Sequence, residues 1–67
     1  MNQIKTIELL RSKYNSLVIS KSQTAEELRV SQATIDRMRK IGDIESVKVG
    51  GSVMFKIDEI ARFLSEA

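Results

Sequence analysis

Residues 47–57 read Val-Lys-Val-Gly-Gly-Ser-Val-Met-Phe-Lys-Ile, "VKVGGSVMFKI". Val47 and Val49 alternate, Val53, Phe55 and Ile57 alternate again, and Gly50-Gly51 separates the two sets, which is a hairpin pattern. Two registers compete. A two-residue Gly-Gly loop pairs Val49 with Ser52 and Val47 with Met54, and it puts the two apolar sets on opposite faces. A three-residue loop, Gly50-Gly51-Ser52, pairs Val49 with Val53 and Val47 with Phe55. That register makes one face wholly apolar and leaves Lys48, Met54 and Lys56 on the other. A one-residue slip inverts every side chain, so the second register is the expected one. A lone hairpin cannot bury its own apolar face. It must pack on helices, and its tip is left projecting as a wing.

The helices lie on both sides of it in the chain. Residues 3–14 carry Ile4, Ile7, Leu10, Arg11 and Tyr14 at three- and four-residue steps, which predicts a first helix. Leu17-Val18-Ile19 is a short extended run. Ser20-Lys-Ser-Gln23 has the form of a capping box, so a second helix is expected to about Leu28, burying Ala25 and Leu28. Ser31 is an N-cap for a third helix, and Gly42 stands where a left-handed terminating residue is needed. In that helix Ser31, Ile35, Met38 and Gly42 share one side, while Ala33, Asp36, Arg37 and Lys40 share the other. Residues 58–65 predict a last helix, with Asp58 and Glu59 in its first turn and Ile60, Phe63 and Leu64 as its buried stripe.

Composition narrows the function. Sixty-seven residues make one small domain, and residues 1–67 are taken as that single unit. The chain has neither Cys nor His. That removes thiolate chemistry, disulfides, the usual metal ligands and the commonest general base, so neither a metal nor a cofactor is expected. Ser, Lys and carboxylates remain, but nothing pairs them with a base, and no enzymatic activity is expected. No apolar run is long enough to span a bilayer. "MNQIKTIELLRSK" carries charges within its apolar pattern, so it is not a signal peptide, and a cytoplasmic location is expected.

The net charge is +2, unevenly distributed. Residues 1–30 carry a net +2, residues 31–56 another +2, and the last eleven −2. An acidic end masks a basic front that is compatible with nucleic acid.

Ile19-Ser20, Thr24-Ala25, Leu28-x-Val30-Ser31-x-x-Thr34-Ile35-x-Arg37-Met38, Ile41-Gly42-x-Ile44, Val47-Lys48-Val49-Gly50 and Ile60-x-x-Phe63-Leu64 together resemble the excisionase-type, MerR-like winged helix-turn-helix family. The resemblance covers residues 19–64 and leaves residues 1–18 as an N-terminal helical extension. It implies a mainly α fold with a small β-hairpin. It also implies that the third helix enters a major groove of double-stranded DNA while the wing touches the flanking backbone or minor groove. Two roles follow from it. One is a recombination directionality factor of a mobile element that bends DNA and assists an integrase or recombinase. The other is a small transcriptional regulator of a phage, plasmid or genomic island. A bacterial or phage-encoded source is implied as well. Effector sensing is not expected, because no long dimerising helix follows residue 67. Two positions depart from the pattern: Arg29 stands where the family often has Gly, and Lys56 where it often has Pro. A left-handed Arg29 costs on the order of 1 kcal/mol.

The residues expected at DNA follow. Gln32, Ala33, Asp36, Arg37 and Lys40 form the outward face of the third helix; Gln suits adenine and Arg suits guanine. The plain alternative is a solvated face with an Asp36–Lys40 pair. Asp36 either accepts from cytosine or fixes a neighbouring cation. Ser31 caps the helix and is placed to meet a phosphate. Arg39 leans toward the packed side. Lys48, Ser52 and Lys56 are read as wing contacts to backbone, or as residues that keep an edge strand soluble. Met38, Phe55 and Phe63 are read as core, and Tyr14 as exposed or packed on the first helix. An alternative from another class is a protein-interaction module, in which the helix over 3–14 docks a partner. Weak or DNA-assisted self-association through residues 1–14 is a further expectation.

Overall fold

In the computed structural model, residues 3–66 are described. The described residues form helix α1 (Gln3–Tyr14), strand β1 (Val18–Ser20), helix α2 (Lys21–Leu28), helix α3 (Gln32–Ile41), strands β2 (Val47–Val49) and β3 (Ser52–Lys56), and helix α4 (Ile57–Glu66). The strands make one antiparallel sheet in the order β1-β3-β2. The extended run near residue 18 is therefore a third strand beside the hairpin, with Ile19 opposite Phe55.

Local signals set the element ends. Tyr14 is followed by Asn15 at φ +51°, and the Asn15 amide donates to the Arg11 carbonyl at 2.7 Å. Asn tolerates that left-handed conformation better than most residues. The capping box is present: the Gln23 amide donates to Ser20 Oγ at 3.0 Å, and the Ser20 amide donates to Gln23 Oε1 at 2.9 Å. Arg29 closes α2 at φ +58°, in the left-handed region, with its amide on the Glu26 carbonyl. Ser31 caps α3 through the Thr34 amide, and Gly42 ends it at φ +85°.

The core is one cluster drawn from every layer. Leu10, Ile19, Ala25, Ile35, Ile44, Phe55, Ile57 and Ile60 are buried, with Ile7, Tyr14, Leu28, Met38, Val53 and Leu64 packed at its edge. Thr24 is fully buried, and its hydroxyl donates to the Ser20 carbonyl at 2.8 Å. α1 lies along α4, and α2 packs on α3. Tyr14 packs on the core, and its hydroxyl donates to Glu27 of α2.

The hairpin register is not the expected one. Val49 pairs with Ser52, Lys48 with Val53, and Val47 with Met54, so the loop has two residues. Gly50 and Gly51 sit at φ +59° and +85°. Positive φ at both central residues gives the turn whose twist matches the strands, and only glycine adopts it freely. Gathering Val47 and Val49 onto the core face has little to gain, because the tip lies beyond the helices; Val49 remains 51% exposed. Turn geometry therefore decides the register. Its consequence is that Lys48 shares a face with Val53 and Phe55, while Val47, Met54 and Lys56 face the other way.

The stripe of α4 is also corrected. The helix begins at Ile57, and Ile57, Ile60 and Ala61 are its buried residues. Leu64 continues that stripe at the core edge. Phe63 lies about 100° off it and is half-buried, outside the core cluster. Three helices around a sheet, with a helix pair joined by a tight turn and followed by a projecting hairpin, is the winged helix-turn-helix arrangement. α1 adds a fourth helix in front.

Candidate nucleic-acid interface

α3 presents two faces. Ile35 is fully buried and Met38 packs beside it. Ser31, Gln32, Ala33, Arg37 and Lys40 are exposed, and Asp36 is half-buried. The structure thus brings the six expected helix residues onto or beside one surface. Ser31 has a double task at its end: its Oγ accepts the Thr34 amide at 3.1 Å and lies 3.0 Å from Thr34 Oγ1.

Asp36 is not paired with Lys40. Its Oδ1 accepts from Arg39 Nη1 at 3.0 Å and from Lys21 Nζ at 3.2 Å, and its Oδ2 accepts from the same ammonium at 3.2 Å. One carboxylate ties the first residue of α2 to the middle of α3. The Lys21 hydrogen bond, aided by Arg39, holds the Asp36 pKa below its ordinary value.

Ten of the eleven cations divide into two groups. Arg11, Lys13, Lys21, Arg39 and Arg62 are each in an ion pair. Among the described residues, Arg29, Arg37, Lys40, Lys48 and Lys56 have no acidic partner and are all exposed. All five unpaired cations lie between residues 29 and 56, on the turn, the outer face of α3 and the hairpin. A cation without an internal partner keeps its charge available to an external anion.

The wing residues do not share one side. Lys48 stands on the same sheet face as Val53 and the buried Phe55. Lys56 stands on the opposite face, where it lines a shallow hollow with Arg11, Leu17, Val18 and Asp58. Ser52 is exposed at the tip. The register puts Lys48 and Lys56 on opposite faces of the sheet.

A locked cluster holds the segment that leads into the wing. Glu59 of α4 accepts from Arg62 Nε at 2.7 Å and Nη2 at 2.8 Å, and also from the Glu45 amide at 2.8 Å. Arg62 further donates to the Asp43 carbonyl at 3.1 Å and to Glu66 at 2.8 Å. Hydrogen bonding from Arg62 lowers the Glu59 pKa, and Glu59 in turn raises that of Arg62. Ile44, buried between Asp43 and Glu45, is clamped in place by these bonds.

Sequence reasoning missed the part played by Lys21 and named Arg29 only as a departure from the family pattern. Lys21 lies 15 residues from Asp36, a tertiary pairing with no local signature. Arg29 was legible: a cation at a position that favours glycine occupies an exposed turn at some backbone cost.

A family model described as a helix-turn-helix domain matches residues 18–67. No curated protein matches the chain. Among the described residues no helix is long and apolar enough to cross a membrane, and no group of His, Cys, Asp and Glu could hold a metal ion.

Proposed function

This chain belongs to the helix-turn-helix domain family, a family of excisionase-like DNA-binding domains, and from that premise we propose that it is a small sequence-specific DNA-binding protein of a mobile element. The observation that carries this reading is the segregation of charge. Arg11 and Lys13 on α1 and Arg62 on α4 are each tied to an acid, whereas Arg37 and Lys40 on α3 and Lys48 on the wing are unpaired.

In the proposed complex α3 lies in the major groove. Gln32, Ala33 and Arg37 face base edges near the helix N-terminal half, and Arg37 suits guanine. Ser31, at the capped N-terminus, and Lys40 meet phosphates. Lys48 and Ser52 reach the flanking backbone from the wing. Lys56 is the weakest member of the set, since it stands on the other face of the sheet. The role that fits best is a recombination directionality factor, which bends DNA for an integrase. A transcriptional regulator would use the same contacts.

A gel-shift series with labelled duplex, stepped salt and excess random competitor tests the reading. The expected result is salt-sensitive binding that survives the competitor on a selected site. An absence of binding at low salt would overturn it and favour a protein-interaction module. Selected sites in direct repeat support the recombination role, and an inverted repeat supports a dimeric regulator.

A further inference from the structure

An acid in the middle of a phosphate-facing helix is an electrostatic liability. The like charge repels the backbone that the surrounding cations attract. Asp36 occupies that position on α3, one turn from Ala33 and one turn from Lys40. The contacts of its carboxylate answer the difficulty. Lys21 and Arg39 together place two positive charges against one negative, so the triad as a whole is cationic. The Asp36 side chain nevertheless remains 41% exposed. Two donors occupy Oδ1, whereas Oδ2 takes only the shared ammonium of Lys21, so it has lone-pair capacity left. Ala33, on the turn before, offers only a methyl group beside it.

We propose that Asp36 is a specificity-determining residue: a charge-balanced acceptor that takes a hydrogen bond from an exocyclic base amine in the major groove, cytosine N4 or adenine N6, while its hold on Lys21 and Arg39 keeps those two cations off the phosphates. This rests on the DNA-binding reading above. Held this way, the carboxylate is fixed in one rotamer by partners on two helices, so it meets a base edge in a single geometry. A base pair that presents only acceptors at that point leaves the carboxylate facing lone pairs and is rejected. The same bonds reduce sequence-independent attraction, because Lys21 and Arg39 are spent internally. One residue thus raises discrimination twice, by reading a donor and by lowering background affinity.

The test is binding-site selection from a random duplex pool followed by titration at stepped salt, with wild type, Asp36→Ala and Asp36→Asn. Asn keeps one acceptor oxygen but loses the charge, and it nearly preserves shape. In wild type, changing the one base pair that donates to Asp36 costs roughly five- to hundredfold in affinity. In Asp36→Ala that preference collapses at one position, while affinity for random duplex rises. Its slope of log affinity against log salt steepens by roughly 0.9 for each released cation that gains a phosphate. Asp36→Asn keeps part of the preference and shows the same rise on random duplex. Overturning results are equally plain. If both variants weaken on all duplexes alike, with the selected sequence unchanged, Asp36 is only a strut between α2 and α3. If the wild type itself shows no salt-sensitive duplex binding, the parent reading fails rather than this one.

Discussion

α3 and α4 are both ten-residue helices that bury one apolar stripe, yet they treat charge in opposite ways. On α4 the single arginine is held by three groups. Arg62 meets Glu59, Glu66 and the Asp43 carbonyl, and Glu59 also takes the Glu45 amide. On α3, Arg37 and Lys40 have no partner, and the one acid spends itself on Lys21 and Arg39. Charge on α4 orients the chain leading into the wing. Charge on α3 is left for something outside the molecule. The difference teaches that a count of basic residues says little about a binding surface, and that the pairing state of each one says much more.

The sharpest way to test this contrast is to truncate each helix's cations. Arg37→Ala combined with Lys40→Ala should cut duplex affinity by about tenfold or more, through one lost base contact and one lost phosphate contact. The thermal midpoint should stay within a degree or two, since neither side chain has an internal partner. An unchanged affinity would break the comparison. Arg62→Ala should do the reverse. It leaves the Glu59 carboxylate without its arginine and removes the hydrogen bond to the Asp43 carbonyl. These bonds are partly solvent-exposed, so screening keeps the loss of stability modest. In a domain of this size that lowers the melting midpoint by several degrees. Duplex affinity per folded molecule should hold. A large affinity loss without a melting change would show that α4, not α3, carries the contact.

The wing offers a smaller effect and a finer distinction. Lys48→Ala should weaken binding across all sequences alike and flatten the salt slope by roughly 0.9. Lys56→Ala, on the other sheet face, should change neither. Equal effects from the two lysines would mean that the wing turns its other face to the duplex.

The smallest effect concerns pH. Lys13, then Tyr14, hold Glu27 below its ordinary 4.5, Arg62 does the same for Glu59, and Lys21 lowers Asp36. Depressed folded-state values mean that these groups stabilise the fold above their ordinary values. That contribution is lost as pH falls through the lowered ones. With no histidine in the chain, the melting midpoint should be flat from pH 8 to about 5.5 and should decline only below about 4.5. A step near pH 6.5 would contradict this assignment.

Much of the fold could be read from local grammar. Ser20 with Gln23, Ser31 and Gly42 each act within a few residues of themselves, so their sequence context contains the whole interaction. The outer face of α3 follows from helical period alone. What escaped the sequence is what depends on distant partners or on competing terms. The hairpin register set turn twist against apolar gathering, and Gly50-Gly51 prevailed because the tip lies past the core. Phe63 looked like core by type, but α4 starts at Ile57, and that puts Phe63 on the flank. Asp36 was legible as an acid on the outer face of α3. Its main partner was not, because Lys21 reaches it only when α2 folds against α3.

The most direct measurement is the slope of log affinity against log salt for the wild-type chain on its selected duplex. Lys40 on α3 and Lys48 on the wing, the unpaired cations assigned to phosphates, should each release about one counterion. The account predicts a slope near −2, reduced by nearly one unit in the Arg37→Ala, Lys40→Ala variant. A slope close to zero, or one that this double substitution leaves unchanged, would contradict it.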